Sequence, residues 1–487
     1  MTFLGIDRTL HPSLDEINFL QAGTGAVQRD AQSKMRDIVS VKDFGAVGEG
    51  VTDDTAAIQA ALDSGATSVY IPSGTFLASS LLMPNVFNFV LFGNGPSSIL
   101  KQAAGASNAL IRWATASIVY NEQTILNIGI TGTNGSQHCI DTSGAGGPTL
   151  NGIYITDVPV GKSGIYMDGA AATQVHDIRL NNIQIYSNTA GHSGIRMGPL
   201  CADSKVSDYI LNGNLVVNYG IYLDSGAIAN TFVESHPYNC SINVLHLAGS
   251  NNYNDFIGCV FDNATNDVAR IIASSICSFT ACYFESIDAT YSGVNITGAS
   301  SGISFLNCKW NGAASSASCV VADSSTSSIV IFSGAVDVIS NFTTPFNLAG
   351  SSSWARGIGG QNPIGVEFYV AGVTNAVQAQ NTTQYLGANN NNNTDESLEV
   401  YVLPYDCSCP RIFIAVGSTP AAGQTFTFQA RKNGSGVGSA LVVSNGQFGG
   451  TITDAGSFSQ NDQFDIQSVF SATSGSSSIR FNAKFTA

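Results

Sequence analysis

Acidic side chains that recur at one position of a repeated motif are the first candidates for chemistry in this chain of 487 residues. The motif reads Phe-x-x-Cys-x-aromatic followed by a polar residue, and it occupies residues 256–262, 279–285 and 305–311. Side chains alternate between the two faces of a strand, and a lysine is excluded from an apolar interior, so Lys309 and Asn311 both point outward. The same parity sends the motif's cysteines and following aromatic residues inward, and it places Asp262 and Glu285 outward, in register with Asn311.

A third acid joins this outward stripe when residues 231–235 are aligned with residues 282–286, because Glu234 then matches Glu285. Earlier in the chain, Asn212 and Asn181 extend the stripe. Of the eight glutamates, only Glu122, Glu234 and Glu285 fall within the repeated β runs between residues 69 and 339, so two of the three share one stripe. The alternative interpretation is that these acids are solvated residues at strand ends.

The stripe indicates glycosidic cleavage, because that reaction needs one carboxyl group as acid and another as base or nucleophile. Strands of a sheet are ~4.8 Å apart, so neighbouring carboxylates lie about 5 Å from each other, and Glu234 lies roughly 10 Å from Glu285. Neighbours match the ~5–5.5 Å separation of retaining glycosidases, and the outer pair is near the ~6.5–9.5 Å of inverting ones. The pattern leaves both options open.

Three further residues are candidate substrate contacts. Parity predicts that Phe232 and Tyr283 point outward beside the acids, where their rings stack on sugars or pack at a subunit interface. His236 follows Glu234 by two residues and is either part of the site or a hydrogen-bonded loop residue. No cysteine or histidine spacing resembles a metal site, and residues 144–147 lack the lysine of a phosphate loop, so we expect no metal and no cofactor.

The elements that must position these residues are short β runs separated by Gly, Asn and Ser. A second repeat begins at residues 164–167, 194–197 and 220–223, and both repeats have periods near 25 residues. This period predicts a parallel β-helix with about ten coils. Only 11% of the residues are charged, which fits a long interior of small apolar residues and Asn, Ser and Thr ladders. A chain of β-sandwiches is the alternative, and it explains the spaced cysteines poorly.

Three regions follow from these patterns. Residues 1–40 are a polar connector, and residues 41–350 form the β-helix, introduced by a short helix that Thr52 or Asp53 caps. Residues 351–487 alternate with a period of two and predict an antiparallel β-sandwich for trimerisation or carbohydrate binding. The expected fold class is therefore all-β. The ten cysteines are expected to be reduced and buried.

The formal charge of −15 disfavours nucleic acid and anionic membranes as partners. The most apolar stretch, residues 76–92, is interrupted by polar residues, so no membrane insertion is expected. The first residues lack the pattern of a secretion signal.

The sequence VKDFGAVGEGVTDDTAAIQAAL, followed by VYIPSGTF, covers most of residues 41–76. It resembles the N-terminal signature of the pectate-lyase-like β-helix superfamily in the form found in bacteriophage tailspike and tail fibre depolymerases. The resemblance implies a right-handed β-helix and a homotrimer carried on the virion tail. It also implies synthesis in the host cytoplasm and action at the host cell surface, on a capsular or O-antigen polysaccharide. The signature marks the cap of the helix, so it supplies no catalytic residue.

These observations lead to one main hypothesis and two rivals. The main hypothesis is a tailspike depolymerase that hydrolyses a bacterial surface polysaccharide with Glu234, Asp262 and Glu285. The first rival is a polysaccharide lyase in which Arg196, Lys205 and Arg270 cluster to neutralise a uronate. The second is a non-catalytic spike that only binds its receptor. In each case the partners are the polysaccharide, two further copies of the chain and the phage tail, contacted through the N-terminus.

Overall fold

The structure is a computed structural model that describes most of the chain from residue 16 onward. Residues 16–348 are described apart from 115–118, 121, 133–134, 144, 170–174, 287–289, 317–319, 323–329, 334–336 and 343–345. Further on, it describes residues 367–374, 383–386, 392–393, 401–403, 407–471 without 460, and 479–486.

A short N-terminal region leads to the helix that covers the first coil. It contains the strands Asn18–Phe19, Arg29–Asp30 and Val39–Ser40, the helix Ala31–Met35, the 3-10 turn Val41–Phe44, and the strand Glu49–Asp53. The covering helix is Thr55–Leu62, and its apolar face buries Ile58, Ala61 and Leu62. The N-cap position is Asp54 and not Thr52 or Asp53, and the Asp54 carboxylate makes no capping hydrogen bond but accepts from the backbone N–H groups of Val47 and Gly48.

Two parallel stacks of strands form the solenoid, which has about ten turns. The long stack continues from Val39–Ser40 and Glu49–Asp53 through Ser68–Ile71, Gly74–Ala78, Val90–Gln102, Thr124–Thr131, Thr149–Thr156, Arg179–Tyr186, Lys205–Asn212, Thr231–Val233, His236–Cys240, Asp255–Ile257, Val260–Ala264, Ser278–Thr280, Tyr283–Ser286, Ile303–Leu306, Lys309–Ser316, Val330–Ser333 and Asp337–Phe342. The all-β fold and the parallel β-helix predicted from the repeat are therefore confirmed.

The second stack is an eleven-stranded parallel sheet. Its strands are Leu81–Leu82, Ile111–Arg112, Ile140–Asp141, Ser163–Met167, Ser193–Met197, Tyr219–Leu223, Asn243–Ala248, Ala269–Ile272, Val294–Thr297, Val320–Ala322 and Phe346–Leu348. Two small parallel pairs join Val119–Tyr120 to Ala145–Gly146 and Val175–His176 to Cys201–Ala202.

A column of left-handed residues bends the long stack in the middle of successive coils. The φ angles of its members lie between +48° and +68°, and the members are Asn127, Gly152, Asn182, Asp208, Glu234, Gly258, Ala281 and Asn307. The pairing on both sides of the bend keeps these residues in register, as Ile257 with Thr280 before the bend and Val260 with Tyr283 after it show. The bend turns each long strand into two arms, and the eleven-stranded sheet provides the third wall of the coil.

The interior contains stacked aromatic rings and thiols, and it includes the cysteines and the following aromatic residues that parity predicted to point inward. Phe256 and Phe279 stack with ring centroids 4.8 Å apart, and the side chains of Cys259, Cys282 and Cys308 are all buried. Phe261, Phe284 and Trp310 are also fully buried. The nine described cysteines are buried free thiols, which confirms the prediction for them, and Cys319 lies outside the described residues.

Uncharged polar side chains complete the interior. The Asn230 side-chain amide donates to the Asn254 side-chain oxygen at 3.1 Å, and both residues are completely buried. The pair crosses from one coil to the next, so each amide satisfies a neighbouring coil's hydrogen-bonding groups without placing a charge inside. This arrangement accounts for a long core in a chain with few charged residues.

Two antiparallel sheets follow the solenoid. The first contains Glu367–Thr374, Ile479–Thr486, Cys407–Val416, Gly449–Thr453 and Ser457–Phe458, and the second contains Asn392–Asn393, Thr383–Leu386, Gln463–Phe470, Thr425–Lys432, Ser435–Ser444 and Tyr401–Val402. One hydrophobic core joins the two sheets and includes Ile412, Phe428 and Phe481. The predicted antiparallel C-terminal region is confirmed, and its expected start at residues 351–366 lies outside the described residues. None of the described helices is long and apolar enough to cross a bilayer.

Candidate active site

Two of the predicted acids occupy neighbouring rungs of the long stack. Asp262 pairs in register with Glu285, and Glu285 pairs with Asn311 on the next coil. In the other direction, Asp262 pairs with Tyr238, which pairs with Asn212. We call these five residues the acidic row. The predicted register of Asp262, Glu285 and Asn311 is confirmed, and adjacent rungs place the two carboxylates about 5 Å apart.

Only one of the two carboxylate oxygens of Asp262 has a hydrogen-bond partner among the described residues. Its Oδ2 lies 3.0 Å from Nε2 of His236, whereas its Oδ1 is buried and has no hydrogen-bond partner among the described residues. The Asp262 side chain is 20% exposed, so a ligand on the surface can still approach it. A buried oxygen without a partner costs free energy, so Oδ1 of Asp262 is an unfavourable feature that the fold retains at this position.

Glu285 is held by two donors. The Tyr283 hydroxyl donates to Oε2 at 3.1 Å, and the Asn311 side-chain amide donates to Oε1 at 3.2 Å. Burial is the main cause that raises the pKa of Tyr283, so its hydroxyl is a protonated donor at neutral pH. Both oxygens of Glu285 are therefore fixed in direction. Tyr283 is partly exposed on the outer surface, as predicted.

Glu234 does not belong to the acidic row, and its predicted register was wrong. It lies in the column of left-handed residues with φ of +48°, and its backbone N–H donates to the Ile257 carbonyl. Its neighbour on the next coil is therefore Gly258, four residues before Asp262, or up to about 13 Å along the chain. Because Glu234 is not on the acidic row, the widely spaced carboxylate pair predicted between Glu234 and Glu285 does not form.

The error arose because the strand breaks at the bend. Residues 231–233 pair with residues 255–257, which pair with residues 278–280, so the equivalent segment two coils on is 278–280 and not the aligned segment 282–286. As a consequence, Tyr238 occupies the position next to Asp262 that was predicted for Glu234. Asn181 also lies outside the acidic row, because it pairs with Ser207. The sequence did contain a signal for the correct register. Phe256 and Phe261 are five positions apart, as are the corresponding aromatic residues of the next two coils, and Phe232 and the buried Pro237 have the same spacing.

The prediction that Phe232 faces outward was also wrong, because it depended on the same alignment. Phe232 is fully buried, and its ring centroid lies 4.9 Å from that of Phe256 in the aromatic stack. It therefore supports the wall behind the site and cannot stack on a sugar. His236, by contrast, is 42% exposed and lies beside Asp262.

The three cations of the lyase hypothesis do not form a cluster. Lys205 lies at the start of its strand in the long stack, where it pairs with Arg179. Arg196 and Arg270 lie on the eleven-stranded sheet, and two rungs separate them there. Their shared row contains Tyr166, Arg196, Tyr222, His246 and Arg270, and we call it the aromatic–arginine row. The repeat beginning at residue 164 already contained its first three members, each as the third residue of a copy.

Within the part of the chain that the structure describes, no three His, Cys, Asp or Glu side chains are arranged to hold a metal ion. The chemistry that the acidic row can perform on its own is proton transfer and nucleophilic attack by carboxylates.

The family described as rhamnogalacturonase A/epimerase, pectate lyase-like, matches residues 38–304. This match covers more than half of the chain, and the chain belongs to that family.

The chain is also similar in sequence to phage proteins. The tail spike protein of Shigella phage Sf6 is 32% identical over 123 residues, which are 22% of this chain and 19% of that protein. Depolymerase 1, capsule K30/K69-specific, of Klebsiella phage K5-2 is 26% identical over 198 residues, or 39% of this chain and 23% of that protein. Each match thus spans less than a quarter of the relative's length. The predicted resemblance to phage tailspikes and depolymerases is confirmed.

Among solved structures, the tailspike protein gp49 from Acinetobacter baumannii bacteriophage Fri1, a capsular polysaccharide depolymerase, is similar over 96% of this chain and 89% of that chain. Its sequence identity is 11% and its TM-score is 0.48.

Proposed function

We propose that this protein is a phage tailspike that hydrolyses a bacterial surface polysaccharide at the acidic row. The observation that carries the proposal is the in-register pairing of Asp262 with Glu285 on adjacent strands. Family membership and the phage depolymerases among the relatives support a polysaccharide as substrate, either a capsule or an O-antigen. They also support a place on the virion tail, where the chain acts at the host surface after synthesis in the host cytoplasm.

The spacing of the two carboxylates favours a retaining mechanism. In the first step, an oxygen of Glu285 attacks the anomeric carbon while Asp262 gives its proton to the departing glycosidic oxygen. In the second step, water attacks the anomeric carbon, Asp262 takes the water's proton, and the bond to Glu285 breaks. Tyr283 and Asn311 keep the nucleophile oriented, and His236 orients Asp262.

The test compares three single amide substitutions. Asp262→Asn and Glu285→Gln should each lower the rate of chain cleavage by about a hundredfold or more, because each removes a proton-transfer or nucleophilic group. Glu234→Gln is the matched control, since it removes an acid from the exposed bend and should leave the rate near that of the unmodified protein. Circular dichroism and the thermal midpoint would show that each variant is folded.

Mass spectrometry of the digested host polysaccharide identifies the reaction. Hydrolysis adds one water per cleaved bond. Proton NMR of the freshly released product should show the anomeric form of the substrate if the enzyme is retaining. Products with a carbon–carbon double bond would establish elimination and overturn the hydrolytic assignment. Tight binding to host cells without shortening of the polysaccharide would establish a non-catalytic spike.

Assembly and attachment form the second part of the proposal. The chain acts as a homotrimer, residues 1–40 attach it to the phage tail, and the C-terminal sandwich serves trimerisation or carbohydrate binding. Sedimentation equilibrium should give three times the chain mass of 50.6 kDa. A monomer at micromolar concentration would contradict the trimer.

A further inference from the structure

The aromatic–arginine row is a second polar surface, on a different sheet from the acidic row. Its members occupy one outward position on five consecutive coils, from Tyr166 to Arg270. The Arg196 guanidinium lies 5.5 Å from the ring centroids of both Tyr166 and Tyr222. Tyr222 and His246 stack with centroids 5.0 Å apart and planes 5° from parallel. Because these faces contact one another, the ring edges and their polar atoms are the parts left for a ligand.

The two arginines of the row differ in how they are satisfied. Arg196 donates to Asp224 at 2.5 Å, so its charge is already paired. Arg270 is 41% exposed, and its guanidinium makes no hydrogen bond within the described residues. The nearest carboxylate, that of Asp267, is 3.9 Å away.

Asp267 is not available to satisfy Arg270 fully. Its Oδ1 accepts the backbone N–H of Ser292 at 2.9 Å, and its Oδ2 accepts the side-chain amide of Asn295 at 2.8 Å. The Asp267 side chain is only 7% exposed, whereas the guanidinium of Arg270 reaches the surface. A guanidinium has five donors in a planar fork that fits a carboxylate with two parallel hydrogen bonds.

His246 offers the complementary acceptor next to Arg270. Its Nδ1 lies 3.0 Å from Oδ1 of Asn243, whose amide nitrogen donates to the carbonyl of Asp267. The Asn243 oxygen therefore accepts, Nδ1 carries the proton, and Nε2 presents a lone pair. A neutral acceptor beside a guanidinium suits a hydroxyl adjacent to a carboxylate, which is the arrangement in an acidic sugar.

We propose that Arg270, His246 and Tyr222 form a binding site for an acidic sugar residue of a glycan. The sugar carboxylate binds the Arg270 guanidinium, a neighbouring hydroxyl donates to Nε2 of His246, and the Tyr222 hydroxyl contacts the ring substituents. The site is distinct from the carboxylate pair and does not depend on it. A depolymerase with such a site holds the polysaccharide on one wall of the coil while another wall cleaves it.

Ligand-detected NMR with the full chain tests this site by using three monosaccharide probes: glucuronate, glucose and glucose 6-phosphate. Glucuronate should show saturation transfer at millimolar concentration, glucose should show little, and Arg270→Gln should weaken the glucuronate signal at least tenfold. Arg179→Gln is the matched control, because Arg179 is an exposed arginine on the long stack. His246→Phe should weaken glucuronate binding while it keeps the stacking on Tyr222.

Several outcomes would overturn the proposal. Equal signals for glucose and glucuronate would show that no carboxylate is recognised. A stronger signal for glucose 6-phosphate would show that the surface binds phosphate instead. Undiminished glucuronate binding by Arg270→Gln would place the sugar elsewhere. Because the readout is binding, these outcomes are independent of whether Asp262 and Glu285 cleave a polysaccharide.

Discussion

At the scale of single residues, backbone conformation separates acids of the same chemical type. Asp262 and Glu285 lie in extended strands, so their side chains project at the regular outward position. Glu234 is a left-handed bend residue, and its side chain projects from the corner between the two arms. Its Cγ lies 3.7 Å from the position that a Cβ on Gly258 would occupy. Asp262 and Glu285 therefore pair on adjacent strands, whereas Glu234 packs beside Gly258.

The left-handed conformation of Glu234 predicts that glycine is favourable there. A residue with a Cβ pays roughly 1 kcal/mol in that region, and glycine does not. Glu234→Gly should therefore raise the thermal midpoint slightly, by an amount equivalent to at most about 1 kcal/mol. Ile257→Gly is the control in an extended, exposed strand position, and it should lower the midpoint. A fall in both variants would contradict the argument.

Alternation along the strands predicted the direction of some side chains correctly and of others wrongly. Parity around Lys309 correctly placed Cys308 and Trp310 inside and Glu285 outside, because a lysine in an apolar interior is excluded. The same rule failed for Phe232, since alternation is interrupted at the bend before Ser235. The bend column contains Asn, Gly, Asp, Glu and Ala, so residue type does not mark it.

At the scale of elements, three neutral histidines lie in or just before strands of the eleven-stranded sheet. Burial lowers the pKa of His138, His192 and His246 to about 4, with further lowering from nearby lysine and arginine side chains. For His246 the facing groups are Arg270, His192 and Asp224, together with the rings of Tyr219 and Tyr222. The sheet therefore keeps these rings uncharged at neutral pH.

These lowered pKa values predict a loss of stability in mild acid. A histidine with a folded pKa of about 4 and an ordinary value near 6.5 binds more protons when unfolded between those two pH values. The free energy of unfolding should consequently fall as the pH is lowered from about 6.5 to 4. Thermal midpoints across this range should drop less steeply for His246→Gln than for the unmodified protein, and least for His138→Gln combined with His246→Gln. An unchanged slope in both variants would contradict the assignment.

The elements were largely predictable, because the repeat spacing is a property of the coil itself. A period near 25 residues with turn residues between short apolar runs implies stacked coils. What the sequence did not reveal was the aromatic–arginine row, whose members are Tyr, Arg, Tyr, His and Arg at equivalent positions. No single residue type recurs there, so the row becomes visible only when the register is known.

At the scale of the whole molecule, the residues that the structure describes form two separate hydrophobic cores. The solenoid core includes residues from Val41 to Val320, and the C-terminal core includes residues from Leu386 to Phe485. No residue belongs to both among those that the structure describes. Separate cores unfold as separate cooperative units unless a large interface couples them.

Calorimetry should therefore resolve two transitions. Phe256→Ala removes a ring stacked between two others and should lower only the solenoid transition, by an amount equivalent to about 3–5 kcal/mol. Phe428→Ala should lower only the C-terminal transition. Phe413→Ala is the control, because that ring is 49% exposed. A single transition that both core variants shift equally would show that the two cores are coupled.

The coils keep their register although they differ in length, and this has a consequence for evolution. Phe256 pairs with Phe279 and Phe279 with Phe305, although 23 residues separate the first pair and 26 the second. The additional residues lie in sequence between the paired strands, so these connections can differ in length without moving the acidic row. Insertions in the connections can therefore occur while the pair Asp262 and Glu285 keeps its register. For the tailspike function proposed above, exchanging these connections would change the surface that meets a substrate, and the strands that hold the acidic row would not need to change.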